Sequence, residues 1–131
     1  MTNFTFPKNE KLKSRKLISE IFTSGETTKA YPLLARYVLN TQNEIDSTIM
    51  FGVSVPKRRF KKAVDRNRIK RLVKEAYRLQ KHHLQEVLDQ NHLSMAVMVV
   101  FTGDEVLQFA DINKAVQKLI YRLVKSQYKN N

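Results

Sequence analysis

The fold is determined by the segment 63-AVDRNRIKRLVKEAYRLQKHHLQEVLD-89, in which apolar and basic residues separate at helical spacing. Asp65 stands where an N-cap residue would begin a long helix ending near Asp89. On a helical wheel the two residue classes fall on nearly opposite arcs. The apolar arc is predicted to hold Ile69, Leu72, Val73, Ala76, Leu79, His83 and Val87, and the basic arc Arg66, Asn67, Lys70, Arg71, Lys74, Arg78 and Lys81. One side should therefore pack on a core while the other stays accessible.

The chain before this helix predicts a short helix and two strands. Ser14 is a good N-cap, apolar residues follow it at helical spacing, and Gly25 provides a stop. After a polar loop, residues 31–40 and 48–55 alternate as strands. These two strands are expected to pair as a hairpin.

The remaining elements complete a layered α+β domain. Residues 57–64 are highly charged, although Phe60 and Val64 could anchor a short edge strand. The run 94–101 is almost wholly apolar, which is typical of a central strand covered on both faces and often parallel to a neighbour. Asp111 can cap a final amphipathic helix. The predicted order is αβββαβα, with helices packed on a small mixed sheet.

The composition favours one soluble domain over residues 1–131. The chain is 42% hydrophobic, which is enough for one compact core, and it has no cysteine. Its longest apolar run is far too short to span a membrane, and no signal peptide pattern is present. We expect a cytoplasmic protein with an extended segment at residues 1–13 and a frayed tail at 126–131.

The net charge of +12 is concentrated in one stretch. Residues 57–81 contain twelve Lys and Arg against Asp65 and Glu75, which is a net charge of +10. Like charges at i, i+3 and i, i+4 destabilise an isolated helix, so this arrangement indicates a polyanionic partner more than a solvated face. Strand patterns rather than a helix and turn precede Asp65, so RNA is favoured over DNA.

No constellation of residues predicts a catalytic or metal site. The adjacent His82 and His83 point about 100° apart on a helix and cannot chelate one ion together. Asp104 and Glu105 are more often surface acids than a general-acid pair. Phe22 and an aromatic residue from the strand at 31–37 could stack on single-stranded RNA, or Phe22 could be a core residue.

Two motifs, 52-GVSVPK-57 and 63-AVDRNRIKRLVKEAYR-78, resemble the protein subunit of bacterial ribonuclease P. That family carries an Arg-Asn-Arg motif at the start of a long basic helix. The likeness extends more weakly to the first helix, to the apolar strand at 95–101 and to the last helix. The resemblance implies a left-handed βαβ crossover, although general rules favour a right-handed one.

The resemblance implies that the catalyst is an RNA. A protein of this family is the non-catalytic subunit of an endoribonuclease that removes the 5′ leader from precursor tRNA, using Mg²⁺ held by the RNA subunit. Its partners would be ribonuclease P RNA and precursor tRNA, with one monomeric protein per RNA. The alternative is a ribosomal or general structured-RNA-binding protein with no role in processing.

Site residues follow from the resemblance position by position. The RNA-binding residues are expected to be Lys57, Arg58, Arg66, Asn67, Arg68, Lys70, Arg71, Lys74 and Arg78. A cleft for the leader is expected at Phe22, with Arg36 or Tyr37 beside it, because the strand alignment leaves those two alternatives open. The family commonly has a second aromatic one turn before Phe22, where this chain has Ile18. The basic residues 58–62 replace a less charged turn and could extend the RNA-facing surface.

Overall fold

Three helices cover the two faces of a four-stranded sheet in the computed structural model, which describes residues 11–39 and 48–129. The elements are α1 (Arg15–Ser24), β1 (Glu26–Ala30), β2 (Leu33–Leu39), β3 (Ile49–Ser54), α2 (Ala63–Gln90), β4 (Met95–Phe101) and α3 (Phe109–Lys129). The strand order is β1-β2-β4-β3. The α+β class, the mixed sheet and the order αβββαβα are as predicted.

Strand β4 lies inside the sheet, as its apolar run predicts. It pairs antiparallel with β2 and parallel with β3, so both of its edges are hydrogen-bonded. Six of its seven residues are buried. The parallel pair β3 and β4 is connected through α2. The hand of this crossover stays a prediction.

The two faces of the sheet have cores of different size. On one face, alternate residues of β2, β3 and β4 form the larger core with α2 and α3. On the other face, Leu17 and Ile21 of α1 pack with Met50, Ala96 and Met98 in a smaller cluster. Alternation along the strands therefore decides which side chains meet α1 and which meet the other two helices.

The predicted hairpin between residues 31–40 and 48–55 is wrong. Strand β2 pairs with β1 and β4, whereas β3 pairs with β4 and with no other of the described strands. The hairpin prediction assumed that strands adjacent in sequence pair with each other. Strand β4 instead lies between them because its apolar side chains require cover and its two edges require partners. The segment predicted as a polar loop after Gly25 forms the edge strand β1.

Residues 57–64 form a turn and the start of α2, so the predicted edge strand is also wrong. The amides of Arg59 and Phe60 donate to the carbonyl of Pro56, which makes a tight turn. Helix α2 begins at Ala63, two residues before the expected N-cap Asp65. Asp65 lies in the first turn, where its charge interacts favourably with the helix dipole.

Helix α2 is rotated relative to the predicted wheel. Leu79 is 42% exposed and His83 is also exposed, so neither belongs to the core as predicted. Lys81, predicted on the basic arc, is only 3% exposed. The reason is Tyr77, whose ring stacks on Phe51 of β3 with centroids 3.9 Å apart and planes 4° apart. A large aromatic contact directs this side of the helix to the sheet.

The helix ends agree with the predictions in part. The Ser14 hydroxyl accepts a hydrogen bond from the Leu17 amide at 3.2 Å, and Gly25 follows the last residue of α1. Helix α3 begins at Phe109 rather than after Asp111 and continues to Lys129, beyond the start of the predicted tail. Lys11 forms a parallel bridge with Phe51, whereas residues 1–10 and the loop predicted at 41–47 lie outside the described residues.

Gly25 fixes the close approach of α1 to the sheet, and its replacement tests that packing. A Cβ on Gly25 would overlap the Ile21 carbonyl oxygen and lie 3.1 Å from that of Tyr37. Both contacts are backbone atoms that cannot rotate away. Gly25→Ala should therefore lower the free energy of unfolding by about 1 to 3 kcal/mol, measured by urea denaturation. The exposed Ser24→Ala is the control and should change it by less than about 0.5 kcal/mol. Equal effects for the two variants would contradict this account.

Candidate RNA-binding surface

The first half of α2 presents the predicted basic residues at the surface. Asn67, Arg68, Arg71 and Lys74 are exposed, and Lys70 is half-buried. These five residues are called the α2 basic face. The opposite side of the same turns is held by Ile69 and Val73, which are completely buried. The charged side chains therefore project from a backbone that the core fixes.

Arg66, the first residue of the Arg-Asn-Arg motif, holds the preceding turn. Its Nη1 donates to the carbonyls of Phe60 at 2.8 Å and Lys61 at 3.0 Å. The ring of Phe60 is buried and packs edge-on against Phe101. Arg66 thus ties the turn before α2 to the first turns of that helix, a role that the sequence did not reveal.

The turn before α2 exposes Lys57 and Arg58. Arg59 in the same turn forms an ion pair with Asp104 and donates to the Thr102 carbonyl at 3.3 Å. Among the basic residues 58–62, Arg59 therefore anchors the turn to the loop after β4. The structure places Lys57 and Arg58 at the same end of the protein as the start of α2.

Arg78, the last of the predicted RNA-binding residues, is engaged by its neighbour Glu75. The Arg78 Nε and Nη2 atoms donate to the two carboxylate oxygens at 3.0 and 2.5 Å. This hydrogen bonding lowers the pKa of Glu75 and raises the pKa of Arg78. Arg78 is therefore partly neutralised, in contrast to the residues of the α2 basic face.

Lys74 links the α2 basic face to the chain before α1. Burial lowers its pKa, and the positive charges of Lys11 and Lys70 lower it further. A cavity of about 220 Å³ opens here, and it is lined in part by Lys11, Lys13 and Lys74. Sequence reasoning missed Lys11 and Lys13, although a lysine at every second position of an extended segment places both on one side.

Phe22 and Arg36 meet at the α1 side of the sheet. The Arg36 Nη2 donates to the Phe22 carbonyl at 3.1 Å, and its guanidinium carbon lies 5.9 Å from the centroid of the Phe22 ring. The ring is 44% exposed, so it is not a core residue. The Nε of Arg36 is buried and has no acceptor among the described residues. This pair of side chains is called the α1 cleft, after the leader cleft that the resemblance predicts here.

Tyr37 lies on the opposite face of the sheet from the α1 cleft. Its side chain is 4% exposed, belongs to the larger core and has its hydroxyl 3.3 Å from the Ser126 Oγ. Burial raises its pKa. Strand alternation thus brings Arg36, and not Tyr37, to Phe22. Ile18 packs partly buried against the smaller core.

The described residues offer neither a cluster of metal ligands nor a membrane-spanning helix. Within residues 11–39 and 48–129, no group of three or more His, Cys, Asp and Glu residues is arranged to hold a metal ion. None of the helices in that part of the chain combines the length and apolar character needed to cross a membrane.

Comparison with known proteins connects this chain to one family. The family model for ribonuclease P matches residues 6–124. The ribonuclease P protein component of Porphyromonas gingivalis is 38% identical over 120 residues, which covers 92% of this chain and 87% of that protein. The component from Desulfosudis oleivorans is 40% identical over 91 residues, covering 70% and 71%.

Solved structures share the fold. The ribonuclease P protein of Staphylococcus aureus superposes with a TM-score of 0.65 at 20% identity, covering 86% of this chain and 94% of that one. The Thermotoga maritima protein gives a TM-score of 0.65 at 22% identity, covering 86% and 96%.

Repulsion around Lys74 should reduce the stability of the free protein. A lysine whose pKa is lower in the folded than in the unfolded state destabilises the fold while it is charged, and stability recovers as pH rises through the folded pKa. Lys74→Gln should therefore raise the free energy of unfolding by a few tenths of a kcal/mol at neutral pH and low salt. Urea denaturation measures this gain, which should shrink in 1 M salt. Lys57→Gln is the control, and a gain of the same size there would contradict the proposed repulsion.

Proposed function

The chain belongs to the ribonuclease P protein family, and we propose that it binds the catalytic RNA of ribonuclease P together with the 5′ leader of precursor tRNA. Family membership makes it a subunit of an endoribonuclease that acts in tRNA 5′ processing. The finer proposal concerns which surface meets which RNA. The observation that carries it is the Arg66, Asn67 and Arg68 motif at the anchored start of α2.

The α2 basic face is assigned to ribonuclease P RNA. Its four charged residues are all cations, they are exposed or half-buried, and their backbone is fixed by the core. Asn67 adds an amide that can donate and accept, and the arginines offer planar, multidentate donors for phosphates. Lys57 and Arg58 extend this contact from the adjoining turn, whereas Arg66 supports it by holding that turn in place.

The α1 cleft is assigned to the leader. Single-stranded RNA is bound by aromatic rings that stack on bases and by cations that contact the backbone, and Phe22 and Arg36 supply one of each. The lysines at 11, 13 and 74 border a separate cavity at the β3 edge of the sheet.

The chemical step is assigned to the RNA subunit. Mg²⁺ ions held on that RNA would supply the hydrolytic chemistry. The residues of this chain would bind and position the two RNAs. They would also offset the repulsion between the RNA phosphates, which reduces the need for dissolved Mg²⁺. We place one copy of the protein on each RNA, in the cytoplasm.

A reconstitution assay tests the proposed function. The full chain is added to a ribonuclease P RNA at low Mg²⁺, and removal of the 5′ leader from precursor tRNA is measured. We expect faster cleavage at low Mg²⁺ and tighter binding of precursor tRNA than of mature tRNA. No improvement in cleavage would refute the proposal. Equal binding of unrelated folded RNAs, with no dependence on the leader, would favour the general RNA-binding alternative.

Phe22 offers a direct test of the α1 cleft. Phe22→Ala removes the stacking surface but leaves its backbone carbonyl, to which Arg36 donates. Loss of one base stack costs about 1 to 3 kcal/mol, so affinity of the reconstituted enzyme for precursor tRNA should fall by about tenfold or more. Affinity for mature tRNA should stay unchanged, and Phe22→Tyr, which keeps a ring, should retain most of the binding. An equal loss for both tRNAs would show that Phe22 does not contact the leader.

A further inference from the structure

The outer face of α3 carries a second set of cations. Helix α3 contains five Lys and Arg and a single acidic residue, Asp111 in its first turn. On a helix with 3.6 residues per turn, Lys114, Lys118 and Lys125 fall within an arc of about 40°. All three are exposed, while the buried residues of α3 lie on the opposite side. These lysines project to solvent as one row.

An exposed aromatic ring stands within this row. Tyr121 is 64% exposed, and it follows Lys118 by three positions and precedes Lys125 by four. Residues at these spacings are neighbours on a helix surface. Lys114, Lys118, Tyr121 and Lys125 are called the α3 basic face. A ring flanked by cations is the combination that RNA-binding surfaces use for bases and backbone.

Helix energetics account for only part of this arrangement. Cations near the C-terminus of a helix are stabilised by its dipole, which explains Lys125. Lys114 and Lys118 lie beyond the first turn of α3, and each has a like charge four residues further on, which is destabilising. Across the described part of the chain, no carboxylate forms an ion pair with these lysines. The excess charge is therefore uncompensated within that part of the protein.

The α3 basic face is attached to the edge of the sheet. Arg122 donates a hydrogen bond from Nη1 to the carbonyl oxygen of Lys29 in the edge strand β1. The cations stand on a helix that is fixed both by its core side and by this strand contact. Such a surface loses little conformational freedom in its backbone on binding.

We propose that the α3 basic face is a second contact with ribonuclease P RNA, separate from the α2 basic face. The lysines meet phosphates, and Tyr121 stacks on an unpaired base. This inference rests on the proposed function, because that RNA is the polyanion which the family implies as a partner. A large folded RNA can reach two helices of a small protein at once.

Salt-dependent binding of the full chain to ribonuclease P RNA alone tests the contact. Lys118→Gln with Lys125→Gln should reduce the slope of log K against log salt by about two, because each lysine neutralises one phosphate. Lys118→Arg with Lys125→Arg should retain the slope. The matched control Gln85→Glu with Gln90→Glu makes the same net charge change on the second half of α2, and its slope should change by less than about one. Equal slopes for the Lys→Gln pair and this control would overturn the proposal.

Tyr121 and the position of the contact are tested separately. Tyr121→Ala should weaken binding about tenfold with no change in slope, whereas Tyr121→Phe should bind normally. In backbone-cleavage protection, the Lys→Gln pair should expose nucleotides that an Arg68→Ala variant still protects. Unchanged protection would indicate a solvated face, and a change seen only when precursor tRNA is present would assign the surface to substrate. Either result refutes the proposal. Binding to ribonuclease P RNA alone is measured without cleavage. Failure of the α3 contact would therefore appear in the binding slopes, whereas failure of the proposed function would appear in the cleavage assay.

Discussion

The burial of β4 on both faces is the constraint from which the rest of the architecture follows. Its side chains are apolar on both sides, so helices must cover both faces of the sheet, and its two edges need strand partners. Strand β2 takes one edge and β3 the other, which separates two strands that are neighbours in the sequence. Connecting β3 to the parallel β4 requires a crossover, and α2 is that crossover. The helix that carries the basic motif is thus required by the sheet.

The two faces of the sheet are covered unequally, and the unequal cover creates the α1 cleft. Helices of 28 and 21 residues cover one face, whereas a helix of 10 residues covers the other. On the less covered face, side chains of β2 such as Arg36 remain only partly buried. Phe22 at the end of the short helix has no further helix to pack against among the elements described. Gly25 keeps that helix close to the sheet, which holds Phe22 near Arg36.

Local patterns in the sequence predicted the elements well, and contacts between distant residues explain the failures. The sequence predicted the apolar run of β4, the Ser14 cap and the amphipathic helices, because each depends on its own neighbours in the chain. The rotation of α2 could not be predicted, since it depends on the stacking of Tyr77 on Phe51, which belongs to β3. Alternation along β2 implied that Arg36 and Tyr37 face opposite ways, but only the sheet could show which of them meets Phe22. Lys11 and Lys13 lie beside the candidate surface because Lys11 forms a bridge with Phe51 of β3. No local pattern predicts this contact between distant residues.

A charge count overstates the surface that is available to RNA, because some cations serve the fold. Of the twelve basic residues between Lys57 and Lys81, Arg59 and Arg78 pair with carboxylates, Arg66 holds two backbone carbonyls, and Lys81 is buried. The accessible cations are fewer, but they stand on a turn and a helix that Arg59 and Arg66 hold in place. Like charges on a mobile segment could move apart, whereas like charges on a fixed backbone cannot. Their repulsion therefore persists until a polyanion binds. The repulsion that this fixed backbone maintains makes the free protein less stable, and it also makes the surface ready for phosphate.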